Sequence, residues 1–159
     1  RLTEDKYKGS YEQCGKIITQ YSSRPGLDMA DFFFLILFCF VTGNADMHLK
    51  NFSLIQTASG YTLSPSYDLV PTRMLIPDDT EETALTVSGK RNRLTAADFT
   101  ALGENLRLQG KVINNMIQKA VSVQNTLNKT PALNLLSQKR QEELQALVKE
   151  RCARLENGI

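Results

Sequence analysis

The chain has 159 residues, 42% of them hydrophobic, and its 19 Lys and Arg against 17 Asp and Glu leave a formal charge of +2. That length and apolar fraction allow one buried core, and so small a charge argues against electrostatic attraction to nucleic acid or to a membrane surface. A single histidine excludes a metal site built on several imidazoles, while Cys14, Cys39 and Cys152 are too widely spaced for a zinc or disulfide framework and suit a reducing cytoplasm.

Between Tyr11 and Tyr21, Ile17, Ile18 and Tyr21 recur at helical spacing, which predicts a short helix ended by Ser22-Ser23-Arg24-Pro25-Gly26. Asp28-Met29-Ala30-Asp31 then resembles a capping box with Asp at both ends, opening an apolar run from Phe32 to Val41. That run is about half the length that spans a bilayer, so it is expected to be a core helix, and Gly43 can stop it. Asn51 to Gln56 and Tyr61 to Ser64 read as two short strands joined by Thr57-Ala58-Ser59-Gly60, a hairpin whose far strand leads to Asp68.

Beyond Pro71 comes an acidic cluster, Asp78-Asp79-Thr80-Glu81-Glu82, expected to be solvated. The basic cluster Lys90-Arg91-Asn92-Arg93 is either solvated too or able to hold a phosphate or an acidic partner surface. The remainder is predicted helical. Thr95 can cap a helix through Leu102, Val112, Ile113, Met116, Ile117, Ala120 and Val121 share one face of the next, and Leu135 to Leu155 carries Leu144, Leu147 and Val148 on a third, with Pro131 separating the last two. Residues 95–112 imitate a helix-turn-helix, but the set is expected to pack as scaffold. Lys139, Arg140, Lys149, Arg151 and Arg154 alternate with Glu142, Glu143, Glu150 and Glu156, the pattern of a solvent face rather than of a DNA-reading helix. The expected fold class is mainly α, in an α+β arrangement with one small hairpin.

The segment between the apolar helix and the hairpin, Gly43-Asn44-Ala45-Asp46-Met47-His48-Leu49-Lys50-Asn51-Phe52, carries chemistry. Phosphoryl transfer from ATP needs a carboxylate near the incoming hydroxyl and hard oxygen ligands for Mg²⁺. Asp46 fits the first role, and Asn51 with Asp68 the second. The loop between Asp46 and Asn51 lets the two converge, with His48 and Lys50 near the phosphates. Asp68 has an alternative as a turn residue before Pro71, since Ser64-Pro65-Ser66 is turn-rich.

At these residues the chain resembles the HipA-type serine/threonine kinases of bacterial toxin–antitoxin modules. Gly43 to Ser53 looks like that family's catalytic-loop signature, and Leu63-Ser64-Pro65-Ser66-Tyr67-Asp68-Leu69 like its magnesium-binding segment. The resemblance is strong from about Asp31 to Pro71 and implies a protein-kinase-like C-terminal lobe. It implies Asp46 as proton acceptor, Mg²⁺ on Asn51 and Asp68, and nucleotide contacts from His48, Lys50, Asn51 and Tyr67. It also implies a protein substrate, in known family cases an aminoacyl-tRNA synthetase, and a helix-turn-helix antitoxin through which DNA is contacted indirectly. Ordinary protein kinases and aminoglycoside phosphotransferases place a His two positions before the catalytic Asp. Here Asn44 stands in that place, and His48 follows Asp46 instead, as in the HipA-type pattern.

No Gly-x-Gly-x-x-Gly occurs, and Gly15-Lys16 lacks the first Gly and the Ser or Thr of a phosphate loop. Nothing reads as the sheet that carries a kinase's phosphate-binding lysine. The chain is therefore expected to be the C-terminal lobe of a longer protein, poorly active alone. Two functional classes follow: the catalytic lobe of a kinase, or a kinase-like module that has lost catalysis and binds an antitoxin–DNA complex.

Overall fold

The computed structural model describes residues 3–76, 78 and 80–156. Its core is one apolar helix wrapped by others. That helix, α2, runs Pro25–Thr42, and Phe32, Phe33, Ile36, Leu37, Phe40 and Val41 on it are fully buried. It packs against α1 (Tyr11–Tyr21), α5 (Gly110–Val121) and α7 (Gln138–Glu156). At 18 residues α2 is long and apolar enough to cross a membrane by length and composition; here those apolar faces form the protein's own interior.

Asp28 and Asp31 do not cap α2. Pro25 occupies its first turn, where a missing N–H costs nothing, so the helix begins earlier than the carboxylate spacing suggested. Asp31 is exposed, whereas Asp28 is fully buried and reaches sideways. It accepts hydrogen bonds from the Ser22 hydroxyl and the Leu63 amide, both at 2.7 Å, and lies 2.9 Å from Arg24 Nε. This carboxylate pins the hairpin to α2.

Helix α1 has the predicted bounds, but of its predicted apolar face only Ile18 is buried. Ser10 and Gln13 form its capping box. Tyr11, Gly15 and Ile18 face inward, while Ile17 and Tyr21 are about half exposed, because the contact line follows the four-then-three spacing through Gly15. A Cβ on Gly15 would lie 2.2 Å from Leu106 Cδ2, so the glycine sets how closely α1 approaches the end of α4 (Ala96–Asn105).

The hairpin pairs β1 (Leu54–Thr57) with β2 (Gly60–Leu63), antiparallel, in register Leu54↔Leu63 to Thr57↔Gly60. The first strand is shorter than expected, and the second has the expected length but starts one residue earlier. Leu49–Asn51 instead form a 3-10 turn, because Asn51 points into the site described below. A short helix, α3 (Thr72–Leu75), follows the hairpin.

In the C-terminal half, Thr95 and Asp98 close a capping box at the start of α4, whose Phe99 and Leu102 join Ile113, Ile117 and Ala120 of α5 in the same core. The helix-turn-helix look-alike is thus scaffold. A further short helix, α6 (Val123–Leu127), and a 3-10 turn at Pro131–Leu135 precede α7, which begins at Gln138 rather than at the exposed Leu135.

Glu82, Arg151 and Arg154, expected in solvent, are instead largely withdrawn from it. Glu82 accepts from Arg154 at 2.7 and 2.9 Å and from the Leu94 amide at 2.9 Å, and lies 2.9 Å from Arg151 Nη1. Arg151 is buried, and both guanidinium groups lie over the Phe40 ring. Lys90 bonds Asp98 at 2.6 Å, and Arg91 bonds Glu81 and the Tyr7 carbonyl. Segment 80–94 is therefore clamped to α7, α4 and the N-terminal turn. The described residues include no disulfide: Cys14, Cys39 and Cys152 are free.

Candidate active site

The site begins where α2 stops. Gly43 adopts φ 75°, a left-handed conformation favouring glycine, and its amide reaches back to the carbonyls of Cys39 and Phe40. A Cβ there would also meet Leu147 at 2.5 Å. The chain thereby leaves the helix at a fixed angle, and the next residues are locked to two other segments. The Ala45 amide donates to Thr72 Oγ1 at 2.8 Å, and the Arg73 amide to the Gly43 carbonyl at 2.9 Å.

Asn44 ties the site together. It is buried, its Oδ1 accepts the Asp46 amide at 3.1 Å, and its Nδ2 donates to the Asp68 carbonyl at 3.3 Å. It thus fixes the backbone of both acidic residues. In the sequence Asn44 stands out only as the place where ordinary protein kinases and aminoglycoside phosphotransferases carry His, the one available signal of its bridging role.

Asp46 projects with its side chain 42% exposed, so one carboxylate faces solvent from a rigid loop. Its carbonyl accepts the His48 amide at 2.8 Å, and the His48 carbonyl accepts the Asn51 amide at 3.0 Å, so the loop folds back on itself in two tight turns. Met47 is fully buried behind it, with its carbonyl accepting the Tyr11 hydroxyl at 3.1 Å. His48 Nε2 lies 3.9 Å from Asp46 Oδ1, and the buried His48 Nδ1 makes no hydrogen bond to a described residue.

Asn51 and Asp68, 17 residues apart, meet directly: the Asn51 amide donates to Asp68 Oδ2 at 2.9 Å. Asp68 has φ 57°, a strained conformation for a residue with a Cβ and one more readily tolerated by Asp and Asn than by most side chains. That rules out an ordinary turn residue held only by local bonding, since its carbonyl and carboxylate are both gripped from the loop, by Asn44 and Asn51. Tyr67 closes the same corner, donating to the Lys50 carbonyl at 2.9 Å and lying 3.3 Å from Ser53 Oγ. All the residues singled out from sequence, Asp46, His48, Lys50, Asn51, Tyr67 and Asp68, therefore belong to one locality.

Tyr7 was not foreseen. Its hydroxyl donates to Asp46 Oδ1 at 2.6 Å, its ring meets His48 edge-on with centroids 5.4 Å apart, and Lys6 Nζ comes within 4.0 Å of the same carboxylate oxygen. The Asp46 carboxylate that accepts its hydrogen bond, and then burial, raise the Tyr7 phenol above its ordinary value.

Two cavities adjoin the site. One of about 500 Å³ has a largely apolar wall of Ile17, Phe32, Leu49, Phe52 and Leu63, together with Lys6 and Lys50. A smaller one of about 330 Å³ opens on Asp46, between Tyr7, Thr72, Ile76, Glu81 and Arg91.

Comparison with known proteins gives a family and a fold. The family model for the HipA-like C-terminal domain matches residues 1–127. Two relatives from Sinorhizobium fredii, named "Putative kinase Y4mE" and "Putative kinase Y4dM", are 34% identical over 56% of this chain and 31% identical over 74%. A Haemophilus influenzae protein named "Putative kinase" is 29% identical over 70%. The chain spans 21%, 29% and 36% of these three relatives' lengths, respectively. Among solved structures, the toxin–antitoxin complex of HipA, HipB and operator DNA from Shewanella oneidensis MR-1 contains a chain with the same fold, at TM-score 0.73 and 21% identity. The match covers 93% of this chain and 36% of that one.

Proposed function

The chain belongs to the HipA-like C-terminal domain family, and from that premise we propose that it is the catalytic lobe of an ATP- and Mg²⁺-dependent serine/threonine protein kinase, acting in the cytoplasm. The observation that carries the reading is the Asn51–Asp68 contact, tied through Asn44 to the backbone of Asp46. It gathers a proton acceptor and two oxygen donors from separate segments, in the order phosphoryl transfer uses them.

The donor set fits magnesium. Among the described residues no cluster of three or more His, Cys, Asp or Glu could form a closed cage. Asn51 Oδ1 and Asp68 Oδ1 accept no hydrogen bond from described residues, which leaves two hard ligands to share a cation with the substrate's phosphates, as Mg²⁺ prefers. When bound, the ion neutralises charge on those phosphates. Asp46, half exposed, orients the acceptor hydroxyl and takes its proton. His48 and Lys50 lie beside the phosphates, and a partnerless buried His48 Nδ1 is a cost that a bound polar group relieves. The apolar 500 Å³ cavity with its two lysines suits a nucleotide, and Tyr67 holds the loop carrying Lys50.

The two described strands contain no lysine to hold the α- and β-phosphates; we place that group in the part of the relatives' length outside this chain. By likeness to the Shewanella complex, the partner is a helix-turn-helix antitoxin with DNA beyond it. The phosphate acceptor is a protein hydroxyl, with an aminoacyl-tRNA synthetase the substrate that the family resemblance suggests.

The test is calorimetric titration of ATP into the intact gene product, with and without Mg²⁺. Asp68→Asn is expected to weaken Mg-ATP binding about tenfold or more while metal-free ATP binding stays the same. Equal Mg-ATP affinity in both proteins would remove Asp68 from the metal site.

A further inference from the structure

We propose that Tyr7 is a built-in surrogate for the phosphate acceptor: its hydroxyl occupies the place on Asp46 that an incoming serine or threonine hydroxyl takes, and Arg91 holds it there until an acceptor displaces it. The inference rests on the kinase reading of Asp46. A general base must lie within hydrogen-bond reach of the hydroxyl it deprotonates, and Tyr7 meets that condition at 2.6 Å. The bond also lies where an acceptor must enter, because the 330 Å³ cavity on Asp46 has Tyr7 in its wall. Arg91, in the same wall, donates to the Tyr7 carbonyl and is itself held 3.4 Å from both oxygens of Glu81.

The element carrying the plug is built to yield. Tyr7 ends a short 3-10 turn, Thr3–Tyr7, and is 37% exposed. Its polar contacts outside the turn are with Asp46 and Arg91, so releasing them costs little of the core. Tyr11, by contrast, is 1% exposed with its hydroxyl on the Met47 carbonyl, a structural tyrosine that cannot leave. The raised Tyr7 phenol keeps its proton at neutral pH, so it remains a donor to Asp46. Lys6, His48, Arg91 and Glu81 are the other charged or titratable groups around it.

The consequence is readable without knowing the protein substrate. In basal ATP hydrolysis, water's oxygen bonds to the γ-phosphorus as the bond to the bridging oxygen breaks, ADP leaves with that electron pair, and water's proton passes to Asp46. With Tyr7 in place, Asp46 Oδ1 is already taken. Basal Mg-ATP hydrolysis is therefore measured in the intact gene product and its Tyr7→Phe, Arg91→Gln and Asp46→Asn variants. Tyr7→Phe keeps the ring on His48 and should raise hydrolysis about tenfold, the scale of one charge-assisted hydrogen bond. It should also lower the KM for N-acetylserinamide as acceptor with kcat little changed. Arg91→Gln should move both in the same direction.

Unchanged or slower hydrolysis in Tyr7→Phe overturns the proposal, as does labelled phosphate on Tyr7 itself, which would make it a substrate. A second readout needs no turnover. The ¹³Cζ resonance of Tyr7 should shift in Asp46→Asn, and a resonance that stays put overturns the bond. Absence of hydrolysis in every protein, with that shift present, would instead refute the kinase reading and with it the acceptor role.

Discussion

Replacing Glu82 by Gln isolates the charge at the node joining segment 80–94 to α7. The substitution keeps volume and one acceptor oxygen but withdraws a carboxylate that receives two hydrogen bonds from Arg154 and one from the Leu94 amide. It also leaves Arg151, whose side chain is 7% exposed, with the half-exposed Glu150 at 3.1 Å as its one carboxylate partner among the described residues. Breaking a buried ion pair by removing one partner costs about 3–5 kcal/mol. Arg154 is about one quarter exposed and Glu150 stays beside both arginines, so the lower end applies, about 3 kcal/mol. In urea, with a slope of about 2 kcal/mol/M, the unfolding midpoint should fall by about 1.5 M. Adding Arg151→Met removes the stranded cation and should recover at least about 1 kcal/mol. A midpoint shift below about 0.3 M, or no recovery in the double variant, would show that Glu82 is solvated as its acidic neighbours suggested.

The same node predicts an acid response. Burial works to raise the Glu82 carboxyl, but Arg154, the Leu94 amide and Arg151 outweigh it and hold it below its ordinary 4.5. Asp98 behaves likewise: Lys90 and Thr95 overcome burial and hold it below 3.8. A carboxyl lowered by folding contributes stability that is complete above its unfolded value and is lost as pH falls through the folded one. The urea midpoint should hold steady above about pH 5 and fall below it, less steeply in Glu82→Gln; parallel profiles would refute the assignment. Separately, Gly15→Ala places a methyl group 2.2 Å from Leu106 Cδ2 and should cost about 1–3 kcal/mol by the same assay, whereas the methyl stabilises the helix if Leu106 simply swings aside.

What could be read from sequence was local, and what could not was distant. That Asp46, Asn51 and Asp68 come together was legible because the loop and the hairpin after it are both short, and the helix ending at Gly43 because a left-handed residue is a strong stop. Asp28 misled because its spacing to Asp31 imitates a cap, while its partner amide at Leu63 is 35 residues away. Glu82 and Arg154 pair across 72 residues, and no periodicity within either segment reveals it. Tyr7 reaches Asp46 across 39 residues from a stretch that looked merely polar. In α1, the identity of the helix was clear from its period, yet the buried line ran through a glycine, which carries no hydrophobic signal.

The central claim is most directly tested by transfer of labelled γ-phosphate from Mg-ATP, by the intact gene product, to itself and to proteins of a cell lysate, beside an Asp46→Asn variant that keeps the loop's shape but not its base. The account predicts transfer to serine or threonine that falls by about 10²–10⁴-fold in the variant. Transfer that persists at full rate in Asp46→Asn would contradict the role given to Asp46, and no transfer from either protein would leave a kinase-shaped lobe whose work is binding.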